Sequence, residues 1–207
     1  ENMSPHNLVL SVIGASLLWV GWFGFNAGSA LAADGRAGLA LAVTHLAAAS
    51  GAIAWMAAEW LARKRATLLG LCSGVVAGLV AITPAAGFVS LRGALVIGLV
   101  AGVACYWGAT GLKRMLRADD SLDVFGVHGV GGLVGAVLTG LLADPAISGV
   151  QASLSAQLIA CVAVLGYSVV MTTVVLWVTS RFVVLRVSEG DERTGLDLSL
   201  HNEQLGH

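Results

Sequence analysis

The sequence predicts an all-α, polytopic membrane protein with six transmembrane helices. Two observations carry that expectation. Of 207 residues, 57% are hydrophobic and only 11% are charged, whereas soluble domains average roughly 25% charged residues. The 11 basic and 12 acidic residues are also unevenly spread. They leave charge-free stretches at 2–33, 37–58, 66–91, 93–112, 124–143 and 145–180, each able to supply the ~20 apolar residues that cross a bilayer as a helix. Mean hydropathy is +0.86. No stretch shows the roughly ten-residue alternation of a membrane β-barrel. The 27 glycines suit close helix packing in lipid.

The spans are expected in order at 7–30, 37–61, 67–89, 93–116, 122–143 and 154–184. Thr83-Pro84-Ala85-Ala86-Gly87 closes the third, because proline and glycine end or bend a helix. Asp119, Asp120, Ser121 and Asp123 precede the fifth, and Asp120 and Asp123 are read as its caps, partners of the positive helix end. The last span is longer than a perpendicular crossing needs, and a tilted helix would absorb the excess. Short connections make consecutive helices antiparallel neighbours. A membrane domain over 1–187 and a polar, acidic cytoplasmic tail over 188–207 are the expected divisions.

Lys and Arg set the orientation. Arg63, Lys64, Arg65, Lys113, Arg114, Arg117, Arg181, Arg186 and Arg193 fall on the side of the N-terminus, and only Arg36 and Arg92 fall on the other. By the positive-inside rule both ends face the cytoplasm, across a plasma (inner) membrane. A net charge of −1 gives no case for nucleic-acid binding. Cys72, Cys105 and Cys161 are isolated and read as small packing residues. Neither a disulfide framework nor a metal site is indicated, and nothing calls for a cofactor. The chain opens Glu1-Asn-Met-Ser-Pro-His6 without a basic leader, which reads as the middle of a longer protein.

Asp123-Val-Phe-Gly-Val-His128-Gly-Val-Gly-Gly132 is the most informative run. It places an imidazole inside a span, and an ionisable intramembrane residue is by default a functional-site hypothesis. Gly126, Gly129 and Gly132 would let another helix backbone come close. A neutral imidazole has one donor and one acceptor nitrogen, which suits hydrogen bonding a small neutral solute or passing a proton. A packed histidine bonded to a carbonyl is the other reading, and both stay open on the residues alone. Trp22-Phe-Gly-Phe-Asn-Ala-Gly-Ser-Ala30 ends the first span. Interfacial belting accounts for Trp19, Trp22 and Phe23, while Phe25, Asn26 and Ser29 also fit a cation site built from an aromatic face and a hydroxyl. His45, among Ala47, Ala48, Ala49 and Ser50, is read as part of a packing face. Glu59 and the Arg63–Arg65 cluster are read as solvated or lipid-facing residues at the membrane surface.

Five segments together resemble the ammonium transporter (Amt/Rh) family: GWFGFNAGSA at 21–30, Glu59-Trp60, LLGLCSGVVAGLVAITPAAG at 68–87, DVFGVHGVGG at 123–132, and Gly195-Leu196-Asp197. They occur in the family's order and cover essentially the whole chain. The resemblance implies an eleven-helix fold made of two inverted five-helix repeats and a long final helix. This chain is similar to helices six to eleven, the second repeat plus the final helix. It further implies homotrimers and no enzymatic activity. Ammonium, or methylammonium as its analogue, would be recruited outside, deprotonated, and passed through a hydrophobic pore lined by a histidine pair. His128 matches the second of those histidines, Phe25 a gate phenylalanine, and Ser29 the external hydroxyl. Trp22, Leu18 and Val124 match pore-lining positions. The tail resembles a segment that answers to PII-type signalling proteins. The first histidine and the rest of the outer site are not in this chain, so it is expected to be the C-terminal portion of a longer protein and incomplete alone. An ammonium sensor signalling through its tail, and a membrane domain without transport, are the rival readings. A kinase or cyclase domain fused after residue 207 would favour the sensor, and five more spans encoded upstream of Glu1 would settle the fragment question.

Overall fold

The computed structural model describes residues 5–117 and 119–203. Residues 1–4, 118 and 204–207, which include the outer limits of the expected membrane domain and tail, lie outside the described residues. The described part contains six helices long and apolar enough to cross a membrane: α1 Leu8–Gly28, α2 Gly35–Arg63, α3 Leu68–Ile82, α4 Leu91–Leu116, α5 Phe125–Leu142 and α6 Leu154–Thr179. No strand occurs among the described residues. Two compact units are present, one up to Cys161 and one from Val162 onward.

Each long helix starts where a side chain can satisfy free backbone N–H groups. Asn7 accepts from Leu10 N, Asp34 from Arg36 N and Ala37 N, Thr67 from Gly70 N, and Ser90 from Gly93 N. The ends are equally local. Lys64 and Arg117 take left-handed backbone conformations after α2 and α4. α3 stops at Ile82, with Thr83 as its C-cap and Pro84 following, so the helix proper is shorter than the 67–89 span expected. α6 likewise ends at Thr179, before the expected 184.

In the first unit α2, α3 and α4 pack together, with Val43, Ala47, Ala81, Ile82, Ala94, Ile97 and Ala101 in a common core. The seams are built from small residues. A Cβ on Gly74 would lie 2.6 Å from Trp55 Cβ and 2.8 Å from Ala52 Cα, and one on Gly51 would lie 2.6 Å from Gly74 O. Backbones approach that closely only where side chains are missing, the usual source of helix association in lipid. α1 lies on α2 and α3, and α5 on α3 and α4. The second unit carries the end of α6 and two short helical segments, Glu189–Thr194 and Leu196–His201, joined at Gly195 with φ +94°. Ser188 caps the first of these, and Arg186 Nε pairs with Glu192 at 2.8 Å.

Glu59 corrects the surface reading given to it. It is 4% exposed, and its carboxylate accepts from Thr67 N at 3.0 Å and from the Thr67 hydroxyl. The tight 64–67 connection folds the start of α3 back onto the end of α2, and the free N–H there needs an acceptor. His45 differs from its packing reading too. Ala47, Ala48 and Ser50 are buried, but His45 is exposed, its ring 5.2 Å from that of Trp19 and 5.9 Å from that of Phe23.

Candidate functional site

The site begins at the entry to α5. Asp120 gathers three backbone N–H groups: Val124 N at 2.7 Å, Phe125 N at 2.9 Å and Gly126 N at 3.4 Å. A carboxylate at the positive helix end satisfies donors that have no partner within the helix. Asp123 does not share this task. Its carboxylate sits 2.8 Å from Lys113 Nζ, and its own backbone is left-handed at φ +55°. A residue whose chain turns that way aims its side chain at the neighbouring α4 instead of along the new helix. Of the two expected caps, Asp123 is therefore an ion-pair partner.

His128 lies in a π-helical turn, Phe125–Gly129, which runs into the α-helical Val130–Leu142. Such turns are rare and recur at functional sites. His128 is exposed. Its ring opens on a groove of about 440 Å³ between α1, α3 and the start of α5, shared with Leu18, Trp22, Cys72, Ser73 and Val76. Leu18 and Trp22 are four residues apart, as are Cys72 and Val76, so each helix presents one face. Trp22 Nε1 donates to Thr83 Oγ1 at 2.8 Å, and the Thr83 hydroxyl donates in turn to Leu79 O at 2.8 Å. Indole has only that one donor, so Trp22 offers the groove an apolar surface. The result is a mostly hydrophobic wall with one imidazole and two hydroxyls, those of Ser11 and Ser73.

The structure brings Leu18, Trp22 and His128 together. Phe25 stands beside the groove, its ring 5.6 Å from that of Trp22, and is 62% exposed. Ser29 donates its hydroxyl to Phe25 O at 2.9 Å and lines a separate pocket of about 160 Å³ with Asn26, Arg36, Gly87 and Phe88. Val124 is exposed at the first turn of α5, away from the groove lining. Among the glycines of the motif only Gly126 meets another helix backbone. A Cβ there would be 2.6 Å from Ala109 N, whereas one on Gly129 would meet the Phe125 ring and one on Gly132 open space. The α3 contribution escaped the sequence reading. Ser73, Val76 and Thr83 recur at spacings of three and seven, one helical face, and that pattern was the available signal.

Six membrane-length helices among the described residues define a multi-pass membrane protein. The chain belongs to the Ammonium Transporter Family, whose profile matches residues 1–205. It is 43% identical over 210 residues to the ammonium transporter of Bacillus subtilis, covering 97% of this chain and 52% of that protein. It is 48% identical to the ammonium transporter of Aquifex aeolicus, over 98% of this chain and 49% of that one. Among solved structures, Saccharomyces cerevisiae Mep2 superposes with a TM-score of 0.80 at 39% identity, over 86% of this chain and 45% of Mep2. A sensor Amt protein superposes with a TM-score of 0.87 at 30% identity, over 94% of this chain and 49% of its own. The chain thus spans about half the length of the relatives it matches.

Proposed function

We propose that this chain is the C-terminal part of an ammonium transporter and supplies one wall of its conduction path. The observation that carries the reading is His128 opening on an apolar groove beside Leu18 and Trp22. Moving a bare cation into such surroundings is very costly. Ammonium would therefore lose a proton before crossing, and neutral ammonia would pass along Trp22 and Leu18 with His128 as the polar station. A neutral imidazole both donates and accepts, so it can hold ammonia or relay the proton without placing a fixed positive charge in the way. Phe25 and Ser29 serve recruitment and gating at the outer end. Asp120 holds the turn that presents His128. The opposite wall comes from a segment equivalent to the first half of the relatives.

The same reading takes the nine basic residues on one side as cytoplasmic, places the protein in the plasma membrane, and assembles it as a homotrimer. Residues 188–207 form the tail through which a PII-type protein acts. Transport is not an enzymatic reaction and uses no cofactor. A sensor role is the second reading, supported by the TM-score of 0.87 with a sensor Amt protein. The higher identities, 43% and 48%, are with proteins named as transporters, and they favour transport.

The test is uptake with potassium as competitor, for the protein expressed from its complete reading frame. His128→Ala lowers or alters conduction. His128→Asp brings a negative charge to the groove and shifts selectivity toward potassium. Identical behaviour of wild type and both variants would reduce His128 to a packing residue and end this reading.

A further inference from the structure

Two π-turns lie back to back. One, Gly108–Leu112, interrupts α4, and the other, Phe125–Gly129, carries His128. They touch backbone to backbone: a Cβ on Gly126 would lie 2.6 Å from Ala109 N and 2.9 Å from Gly108 C, and one on Gly108 would lie 2.7 Å from Gly126 O. Lys113 directly follows the first turn and Asp123 stands two residues before the second. Their ion pair, at 2.8 Å with side chains 25% and 34% exposed, ties the two turns at one end. From the geometry we infer that Lys113 and Asp123 are positioning residues for His128, acting through this pair of turns. The inference rests on the proposed reading of the groove as an ammonium path.

The physical case has three parts. Asp123 is held at φ +55°, a costly conformation that persists only when its surroundings fix it. Its carbonyl accepts Val127 N–H at 2.8 Å, so the residue that pairs with Lys113 also anchors the turn next to His128. Finally, a π-turn holds one residue more than an α-turn. Relaxing it would swing the ring about 100° round the helix axis relative to the rest of α5. α5 itself cannot rotate to compensate, because Gly131 packs on Cys105 and Val80, and Gly135 on Ala81. The direction of His128 therefore depends on whether the turn keeps its extra residue, and the ion pair closes the end at which it would unwind.

The experiment measures methylammonium uptake with potassium as competitor, in cells lacking other ammonium transporters. The protein is expressed from its complete reading frame, and rates are normalised to membrane abundance. Lys113→Met removes the charge. Asp123→Asn removes it more gently, since asparagine adopts the left-handed conformation as readily as aspartate. Both are expected to lower the maximum rate about tenfold, as misplaced reacting groups do. The half-saturation concentration stays unchanged, because the outer residues are untouched, and potassium begins to compete. Lys113→Arg restores the rate and the potassium insensitivity. His128→Asp reports on the underlying reading. If it alters selectivity while Lys113→Met and Asp123→Asn match wild type, the positioning role is wrong and the groove reading stands. If His128→Asp also matches wild type, the groove reading itself fails. If Lys113→Met and Asp123→Asn only reduce abundance, with normal rate and selectivity per molecule, the pair is a structural tie and the inference is overturned.

Discussion

Glu59 holds its carboxylate on the backbone N–H and hydroxyl of Thr67, at the junction of α2 and α3. Arg63, one turn further on, is exposed. The two respond differently to truncation. Glu59→Ala strands a shielded N–H and is expected to cost about 1–3 kcal/mol, whereas Arg63→Ala should stay within about 0.5 kcal/mol. Thermal unfolding in detergent compares them, and equal midpoints would show that the Glu59 contact carries no stability. A buried pair on the other side, Asn26 Nδ2 to Thr44 Oγ1 at 2.9 Å, ties α1 to α2. Thr44→Val keeps the shape and removes the acceptor, and the same measurement should register a loss of about 1–3 kcal/mol. An unchanged midpoint would mean that Asn26 finds another partner.

At the scale of the helices, the seams decide stability. Gly74 faces Trp55 and Ala52 across the α2–α3 contact, and the atoms that a Cβ would strike are backbone or close to it. Those atoms cannot swing aside. Gly74→Ala is expected to push α2 and α3 apart and to cost about 1–3 kcal/mol. Gly14 in α1 is the natural contrast, since a Cβ there meets nothing within 4 Å. Gly14→Ala should be neutral or stabilising by up to about 1 kcal/mol through helix propensity. Melting of the two variants side by side tests the claim, and it fails if Gly14→Ala is the more damaging.

For the molecule as a whole, the groove at His128 is open in this chain, and α1 buries only Asn26. An open groove cannot keep lipid and water out of a conduction path. The 207-residue chain reconstituted alone in liposomes should therefore show no methylammonium uptake above background, and supplying the matching five-helix half should restore it. Uptake by the chain alone would contradict the proposed division of the pore. The orientation is tested by single cysteines. One placed near Arg63 should label from the cytoplasm and one near Arg36 from outside, and the reverse pattern would overturn the topology.

The six spans could be read from composition because each residue's cost of entering lipid is nearly independent of its partners. Charge-free length, counted along the chain, was enough to find all six helices, although α3 stops short before Pro84 and α6 ends at Thr179 rather than 184. Asp120 was legible for a similar reason, since a cap acts on the turn beside it. His128 stood out because an imidazole is conspicuous among apolar neighbours. What it shares a groove with was not legible. Ser73, Val76 and Thr83 join Leu18 and Trp22 only when α3 is laid beside α1. Asp120 and Asp123 differ only in where the backbone turns at one residue. The π-turn that aims His128 shifts the helical phase by one position, and no periodicity in ten residues reports such a shift. Those properties depend on register and on contact between distant segments, and only packing in three dimensions sets them.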